Sequence, residues 1–251
     1  MSHSLRGLTV LIPCKNEDHS TLDSITHNLS TLGAEVVVID DGSDNPYPNS
    51  IKHGVSFGYG AALLTGIKNS SNEIILTMDG DFQHQVKDVV NLYKVWKMLD
   101  VDMIIGMRRL KKEIWYRFIG RKVINWTASI VATYWLNDLN SGMRIFKKSI
   151  VYGYREILCQ KFSFTTSLTM SMLCDNYKVE FFPIDVLPRQ YGKSRVKVIK
   201  DGITTLYYIF RIGFALRTRG IRAWLRNLRL ILRGGTTLSQ ASTENHESKN
   251  Q

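Results

Sequence analysis

Two carboxylates separated by one glycine follow an apolar run in the stretch EIILTMDGDFQHQ, residues 73–85. If this stretch is extended, Asp79 and Asp81 project to the same side, because positions i and i+2 of an extended chain share a face. They would repel each other unless a cation lies between them or one of them is protonated. Hard cations such as Mg²⁺ and Mn²⁺ take carboxylate oxygens together with substrate phosphates. A turn whose acids face water is the alternative, and the motif alone leaves both interpretations open.

A second pair of acids, Asp40 and Asp41, follows the apolar run AEVVVID and precedes Gly42 and Ser43. A carboxylate at a strand end can accept hydrogen bonds from a ribose or a base edge, as in nucleotide-binding α/β folds. Asp-Gly is also a common turn pair, so a purely structural turn is again the alternative. The two acidic motifs together are more specific than either motif alone.

The elements that must position these acids alternate along the first half of the chain. We predict strands over 8–13, 34–40, 73–78 and 101–107, and helices over 20–33, 58–70 and 84–99. This alternation, with nearly continuous apolar strands, predicts an α/β fold with a mostly parallel sheet covered by helices on both faces. Ligands of such sheets bind beyond the carboxyl ends of the strands, where both acidic motifs fall.

The second half of the chain is more aromatic and ends in a strongly patterned segment. We predict a helix over 114–136 and strands over 144–150 and 178–187. The apolar run 203–216 contains Arg211 and is shorter than the about 20 residues that a transmembrane helix needs. Residues 221–233 place apolar side chains and arginines on opposite helical faces, which is typical of a helix lying in a membrane interface.

The net charge of +11 comes from the C-terminal part of the chain. Residues 189–233 contain twelve Lys or Arg and one acid, whereas the rest of the chain contains 21 basic and 21 acidic residues. Such a basic segment indicates an anionic partner, which could be phosphate groups, anionic lipid or nucleic acid. The chain shows no recognised nucleic-acid-binding motif, so nucleic acid is not the expected partner.

Three cysteines, Cys14, Cys159 and Cys174, are widely spaced and form no zinc-ligand pattern. An odd number of separated cysteines favours a reduced, cytosolic setting without structural zinc.

Several motifs resemble those of the family 2 glycosyltransferases, which have the GT-A fold. They are IPCKNE at 12–17, VIDDGSDN at 38–45, GYGAALLTGIKNS at 58–70 and MDGDFQH at 78–84. Further motifs are similar to dolichyl-phosphate mannose synthase and bacterial polyprenyl-phosphate glycosyltransferases: RKVIN at 121–125, DLNSGMRIF at 138–146, FSFTTSLTM at 162–170 and RQYGKSRVK at 189–197. The order and spacing of these motifs, over roughly residues 8–216, favour family membership over chance agreement.

The resemblance implies a role for each site residue. The nucleotide pocket would be lined by Pro13, Asn16, Glu17, Asp40 and Asp41. The metal ion, Mg²⁺ or Mn²⁺, would bridge the diphosphate of a GDP- or UDP-linked sugar and would be bound by Asp79, Asp81 and Gln83. The acceptor phosphate would face Arg121, Asn125 and either Arg108 or Arg109. A loop closing over both substrates would carry Arg189, Ser194 and Arg195.

Three departures from the family pattern accompany this assignment. The family more often has Ser at the position of Asn125, and Lys rather than Arg after Ser194. Many relatives carry Gln or Glu around 165–169, where this chain has Thr165, Thr166 and Ser167. This last departure bears on the identity of the sugar and not on transfer itself. Asp81, Arg121 and Arg189 are the residues to which the resemblance assigns catalysis.

The resemblance implies an inverting glycosyltransferase that moves a sugar from a nucleotide sugar to a polyprenyl (dolichyl or undecaprenyl) phosphate. The catalytic GT-A domain would span 1–198, followed by membrane-associating amphipathic helices over 199–233 and a disordered polar tail over 234–251. The enzyme would be peripheral on the cytosolic face of a membrane, alone or with a membrane protein partner. The alternatives are a related enzyme with a glycan or glycolipid acceptor and a non-catalytic basic binding domain.

Overall fold

A computed structural model describes residues 4–80, 84–109, 115–187 and 198–219. The chain divides into two compact units, Met1–Gly213 and Phe214–Gln251. The first unit contains the sheet. Of the second unit only residues 214–219 are described. The interfacial helix predicted over 221–233 and the polar tail predicted over 234–251 therefore lie outside the described residues.

Strands and helices alternate along most of the first half of the chain, as the sequence predicts. The strands are β1 (Leu8–Cys14), β2 (Glu35–Asp40), β3 (Ile51–Lys52), β4 (Ile74–Thr77), β5 (Met103–Arg109), β6 (Arg144–Lys147) and β7 (Val179–Asp185). The helices are α1 (His19–Thr31), α2 (Tyr59–Asn69), α3 (Val86–Met98), α4 (Trp115–Ala132), α5 (Lys148–Tyr154), α6 (Phe164–Cys174) and α7 (Val198–Arg217).

In the described part of the chain, seven strands form one sheet in the order β3-β2-β1-β4-β6-β5-β7. Strand β1 pairs in parallel with β2 on one side and with β4 on the other. Strand β6 is antiparallel to both β4 and β5, so its first residue, Arg144, lies beside Thr77 at the carboxyl end of β4. The prediction of an α/β fold with a mostly parallel sheet is confirmed.

Helices cover both faces of the sheet because β1 is apolar on both sides. Its residues Leu8, Val10 and Ile12 pack in one core cluster with side chains of α1 and α3. On the other face, Leu11 lies against α2, where a methyl group at Gly66 would be 3.1 Å from Leu11 Cδ2. Strands buried on both faces are the reason that parallel sheets read as continuous apolar runs in sequence.

The predicted strand over 144–150 is wrong in its last three residues, because β6 ends at Lys147 and α5 begins at Lys148. Glu73, just before β4, accounts for the change. Its carbonyl oxygen accepts from Lys148 N at 2.8 Å, and its side chain accepts from Ser149 N at 3.0 Å. The first backbone N–H groups of a helix need such acceptors. Here they come from a distant strand, so the local pattern did not indicate the helix.

Helix α6 and the two-residue strand β3 were not predicted either. Residues 164–173 of α6 are all buried, so the helix has no polar face and no amphipathic period to detect. Its hydroxyls are satisfied locally: Ser167 Oγ donates to Phe164 O at 2.8 Å and Thr169 Oγ1 donates to Thr165 O at 2.9 Å. Among the described residues, no helix is both long enough and apolar enough to cross a membrane.

The close approach of α2 to the loop after α5 makes a testable prediction. A methyl group at Gly60 would lie 2.3 Å from Cys159 O and 2.8 Å from the carbonyl carbon of Gln160. We expect Gly60→Ala to lower the free energy of unfolding by about 1–3 kcal/mol, because backbone must move to relieve the overlap. Urea unfolding measures this change.

The matched control is Gly153→Ala in α5, where no atom lies within 4 Å of the new methyl group. This substitution is expected to be neutral or to stabilise the protein by up to about 1 kcal/mol, since alanine favours helix. Equal free energies of unfolding for the two variants would contradict the packing described for α2.

Candidate functional site

The two acidic motifs lie at the carboxyl edge of the sheet, on opposite sides of β1. Asp40 ends β2, and Asp79 follows β4 by two residues. Backbone hydrogen bonds fix both segments to β1: Asp41 N donates to Cys14 O at 2.9 Å, and Met78 N donates to Leu11 O at 3.0 Å. The sheet therefore brings the predicted nucleotide-binding and metal-binding segments to one edge.

Asp40 holds the turn that follows β2. The residue is buried, with Oδ1 accepting from Ser43 N at 2.8 Å and Oδ2 accepting from Tyr47 N at 3.0 Å. Aspartate commonly closes turns in this way by accepting from nearby backbone N–H groups. The structure thus gives Asp40 the structural role that the sequence left open, and its contact with a nucleotide stays a prediction.

Asp41 anchors the loop that leads into α2. Its carboxylate lies 2.8 Å from His53 Nδ1 and accepts from Ser56 Oγ at 2.7 Å and from the N–H groups of Phe57 and Gly58, each at 2.9 Å. Burial favours the neutral acid, but these hydrogen bonds outweigh it and lower the pKa of Asp41. The ionised carboxylate is therefore a built-in part of the loop.

The same loop passes closely over the turn after β2. Gly42 has a positive φ of 73°, and a methyl group there would lie 2.7 Å from Ser56 N. His53, which bonds Asp41 through one ring nitrogen, has its other nitrogen 3.0 Å from Thr65 Oγ1 in α2. Together these contacts fix the loop at residues 53–58 against the carboxyl end of β2.

Asn16 ties the end of β1 to the turn after β2. Its side chain exchanges two hydrogen bonds with Asp44, donating to Oδ2 at 2.9 Å and accepting from the backbone N at 2.8 Å. Asn16 N also donates to Ser43 Oγ at 2.8 Å, and the backbone of Asn16 has a φ of 49°. Pro13 and Glu17, both partly buried, belong to the same segment. The predicted nucleotide-binding residues are thus adjacent at the ends of β1 and β2.

Asp79 presents a partly exposed carboxylate beside the loop before β6. Its side chain is 37% exposed, and His84 Nε2 lies 3.7 Å from its Oδ2. A methyl group at Gly142 would lie 2.7 Å from Asp79 Oδ2 and 2.9 Å from Oδ1. Any larger residue at position 142 would therefore overlap with the carboxylate in its present position. An accessible carboxylate at this edge fits a ligand of Mg²⁺ or Mn²⁺. Asp81 and Gln83, the other predicted ligands, lie outside the described residues.

The described ranges, from which 81–83 are missing, contain no group of three His, Cys, Asp or Glu that could hold a metal ion. The described part of the chain therefore supplies Asp79 to the predicted metal site. The predicted loop residues Arg189, Ser194 and Arg195 also lie outside the described ranges.

Arg108 makes a bidentate ion pair with the buried Asp138. Its Nε donates to Asp138 Oδ2 and its Nη2 to Oδ1, each at 2.8 Å, while Arg108 N donates to Oδ2 at 3.1 Å. The arginine side chain is still 26% exposed. Two parallel bonds to a carboxylate fix the plane of a guanidinium. The geometry therefore orients the Arg108 side chain and leaves part of it accessible.

Asn125 and Arg121 share helix α4 but differ in their surroundings. Asn125 is buried and clamps the next loop, donating to Asn137 O at 2.6 Å and accepting from Leu139 N at 3.2 Å. Arg121 is partly exposed, and its guanidinium carbon lies 5.6 Å from the centre of the Phe118 ring. The structure leaves Arg121 partly accessible and makes Asn125 a support of the loop, so contact of either residue with an acceptor stays a prediction.

The sequence analysis gave no role to three residues that support this site: Asp138, Gly142 and Arg144. All three belong to the motif DLNSGMRIF. The signal that could have identified them is an oppositely charged pair, Asp and Arg, flanking a glycine in a short segment that contains no other charge. Lys and Arg side chains are almost never fully buried unless paired, so such charges need partners from elsewhere in the fold.

A model of the family described as Glycosyl transferase family 2 matches residues 9–154. This match covers more than half of the chain and includes both acidic motifs and the start of β6. The chain belongs to this family.

Curated relatives of the chain include transferases named for polyprenyl phosphates. An undecaprenyl-phosphate 4-deoxy-4-formamido-L-arabinose transferase from Aeromonas hydrophila is 24% identical, over 76% of this chain and 63% of that protein. A UDP-N-acetylglucosamine–dolichyl-phosphate N-acetylglucosaminyltransferase from Methanococcus voltae is 22% identical, over 81% of this chain and 94% of that protein. An uncharacterized protein from Methanocaldococcus jannaschii is 28% identical, over 79% of this chain and 88% of that protein.

A solved structure with the same fold is glucosyl-3-phosphoglycerate synthase from Mycobacterium tuberculosis in complex with Mn²⁺, UDP-glucose and phosphoglyceric acid. It superposes with a TM-score of 0.65 over 83% of this chain and 80% of that chain, at 14% sequence identity. The same enzyme in complex with Mg²⁺ and UDP gives a TM-score of 0.61. These similarities confirm the GT-A fold.

The hydrogen bonds of Asp41 predict a pH-dependent stability. A carboxylate whose pKa is lowered by folding stabilises the protein above its ordinary pKa, and this contribution is lost as the pH falls through the folded value. We therefore expect Asp41→Asn to lower the free energy of unfolding by about 2 kcal/mol at pH 7, the scale of hydrogen bonds to charged groups. The difference should shrink once the pH falls below the ordinary aspartate pKa of about 3.9, and denaturant unfolding from pH 7 downward measures it.

The control is Glu156→Gln, which removes an exposed carboxylate from the turn after α5. Exposed surface substitutions change the free energy of unfolding by less than about 0.5 kcal/mol, so this variant should follow the wild type at each pH. A constant difference between Asp41→Asn and the wild type at all pH values would contradict the role of the ionised carboxylate.

Proposed function

We propose that this protein is an inverting, metal-dependent glycosyltransferase that moves a sugar from a GDP- or UDP-linked donor to a polyprenyl phosphate. Family membership supports glycosyl transfer, and the names of the relatives support a polyprenyl phosphate as acceptor. In this proposal residues 1–198 form the catalytic domain, and residues 199–233 associate with a membrane.

The hydrogen bonds that occupy the carboxylates at the sheet edge are the observation that favours a phosphate over a hydroxyl group as acceptor. Asp40 and Asp41 accept hydrogen bonds on both carboxylate oxygens, and Asp138 is held by Arg108. At the start of α6, Thr166 Oγ1 donates to Asn140 Oδ1 at 2.7 Å, and this neutral pair supplies no carboxylate base. A hydroxyl acceptor needs a general base within reach. A phosphate monoester is already ionised at neutral pH and needs only cations around it.

In this proposal one set of residues binds the nucleotide sugar and its metal ion, and a second set binds the acceptor phosphate. The segment at the ends of β1 and β2 would hold the nucleotide, through Pro13, Asn16, Glu17 and Asp41, with Asp40 fixing the turn beneath them. Asp79, Asp81 and Gln83 would hold Mg²⁺ or Mn²⁺. When bound, this ion neutralises the charge of the leaving diphosphate.

Cationic side chains would position the acceptor phosphate. Arg121 and the oriented guanidinium of Arg108 would face it, and Arg189, Ser194 and Arg195 would close over both phosphate groups. A phosphate oxygen then attacks the anomeric carbon on the side opposite the nucleotide. The bond from that carbon to the diphosphate breaks as the new carbon–oxygen bond forms, and the configuration inverts.

An exposed apolar stripe along α4 supports association with a membrane surface. It repeats at helical spacing, with exposed fractions between 49% and 72%: Trp115, Ile119, Val123, Trp126 and Ile130. The basic residues Arg121 and Lys122 flank it, each with its charge 5.6 Å from the ring centre of Phe118. Aromatic and basic side chains mix in this way at membrane interfaces. We propose that this stripe and the helix predicted over 221–233 hold the enzyme peripherally at the cytosolic face.

A transfer assay tests the proposed reaction. Purified protein is incubated with radiolabelled GDP- and UDP-sugars, undecaprenyl or dolichyl phosphate, and Mg²⁺ or Mn²⁺. We expect label to enter the organic phase, EDTA to abolish it, and Asp79→Asn to reduce the rate at least about 100-fold, because the leaving diphosphate loses its charge partner.

The control is Asp100→Asn, an exposed acid at the opposite edge of the sheet, which should keep the wild-type rate. Release of nucleotide without labelled lipid would support a glycosyltransferase whose acceptor is a glycan or glycolipid and not a polyprenyl phosphate. If the protein neither turns over nor binds any nucleotide sugar of the panel, the enzymatic function is refuted and a non-catalytic basic domain is favoured.

Vesicle flotation tests the membrane surface. We expect the protein to float with vesicles containing phosphatidylglycerol, and the double substitution Trp115→Ser and Trp126→Ser to weaken binding at least tenfold. Burying one large apolar side chain contributes about 1.5–3 kcal/mol, and about 1.4 kcal/mol is tenfold. The control Met98→Ser removes an apolar side chain that is 82% exposed on α3 and should leave binding unchanged. Equal weakening by both changes would argue against a specific surface on α4.

A further inference from the structure

Arg144 is a fully buried arginine at the start of β6, an interior strand of the sheet. It is the first residue of β6 and pairs in register with Thr77 of β4 and Ile105 of β5. Its relative exposure is 0%, and it has the largest volume of the completely buried residues in the described part of the chain. Burying a charged group is costly unless hydrogen bonds and opposite charges compensate for the loss of water. The hydrogen bonds that compensate for this burial identify the parts of the fold that Arg144 holds in place.

The guanidinium bonds two different parts of the fold. Its Nη1 donates to Thr165 O at 2.9 Å and to Thr169 Oγ1 at 2.8 Å, both in α6. Its Nη2 donates to Leu139 O at 3.2 Å and to Ser141 O, both in the loop before β6. One planar group thus joins the loop to a buried helix. An ammonium group has no such fork of donors in a fixed plane.

The two loop carbonyls that accept from Arg144 belong to residues adjacent to the two loop residues that contact the site. Leu139 follows Asp138, which makes the bidentate pair with Arg108. Ser141 precedes Gly142, which lies against the carboxylate of Asp79. Gly142 O also accepts from Thr77 Oγ1 at 2.6 Å, so this end is tied to β4 just before Asp79. A shift of the loop therefore displaces the surroundings of Asp79 and Arg108 together.

We infer that Arg144 is a positioning residue that sets the separation between the metal-binding carboxylate Asp79 and the guanidinium of Arg108. This inference rests on the proposed function, in which Asp79 belongs to the side of the sugar donor and Arg108 to the side of the acceptor. The separation matters because both substrates must meet in line at the anomeric carbon. A misplacement of about 1 Å in such a geometry costs on the order of 100-fold in rate.

Electrostatics supports the same arrangement. Burial lowers the pKa of Arg144 to about 10; Tyr59, Asp138 and Asp79 favour its charged form, and the like charge of Arg108 opposes it. The guanidinium therefore stays charged near neutral pH. Within the described structure its Nε makes no hydrogen bond, so the four bonds of the two Nη atoms carry the link between loop and helix.

The test measures metal affinity, catalysis and loop stability in Arg144→Lys, which keeps the charge but loses the fork. We expect the dissociation constant for Mn²⁺, followed by electron paramagnetic resonance in the presence of UDP or GDP, to rise at least about tenfold. We expect kcat to fall about 100-fold. In the metal-free protein, the amides of residues 138–142 should exchange hydrogen faster than in the wild type.

Thr169→Val provides a milder variant in case Arg144→Lys fails to fold. It removes one acceptor of Arg144 with little change in volume, and it should raise the Mn²⁺ dissociation constant about threefold, because the guanidinium loses one of its four hydrogen bonds while the other three still link loop and helix. The matched control is Thr205→Val. Thr205 is an equally buried threonine whose hydroxyl donates to Asp201 O at 2.7 Å and lies 3.1 Å from Ser163 Oγ; among the described residues it makes no hydrogen bond to Arg144 or to the loop. It should lower the melting temperature without changing metal affinity.

Two outcomes separate this inference from the proposed function. If the wild type binds Mn²⁺ with a nucleotide diphosphate and folded Arg144→Lys or Thr169→Val matches Thr205→Val in metal affinity and kcat, Arg144 only stabilises the fold and the inference is overturned. If the wild type itself binds no Mn²⁺ with UDP or GDP, the proposed function fails and the inference fails with it.

Discussion

The parallel pairing of β1 with a strand on each side is the constraint on which the site depends. Parallel strands end at the same edge, so the residues after β1, β2 and β4 are brought together although these strands end at positions 14, 40 and 77 of the sequence. Both faces of these strands must be covered, which requires helices between successive strands. The site therefore arises from loops whose two ends are fixed by a largely buried sheet.

Buried charges give these loops their shape. Asp41 gathers four donors from the loop before α2, Asp138 fixes the plane of Arg108, and Arg144 joins the loop before β6 to α6. Each charge is expensive to bury, and each is compensated by several hydrogen bonds with fixed directions. The loops at this edge are thus more sharply defined than apolar contacts alone would make them, because hydrogen bonds constrain angle as well as distance.

The same arrangement explains why the proposed chemistry depends on cations. Carboxylates committed to loop structure are poor general bases, so a nucleophile that is already ionised suits this site best. A lipid phosphate also requires the enzyme to meet a membrane. The exposed aromatic stripe on α4, the helix that carries Arg121, would bring the proposed acceptor contacts toward the lipid surface. Catalytic and membrane-binding features therefore share one helix in this proposal.

The sequence by itself determined the α/β alternation, the family resemblance and the placement of both acidic motifs, because apolar runs and short motifs are local properties of the chain. It did not indicate that α5 begins at Lys148, since that start depends on Glu73, 76 positions before Ser149. It could not show that Asp138, 30 positions away, orients Arg108, or that Asn125 supports a loop. It also missed α6, whose residues are buried on every side. Only the tertiary structure decided these features, because folding alone brings hydrogen-bonding partners that are remote in sequence within reach of one another.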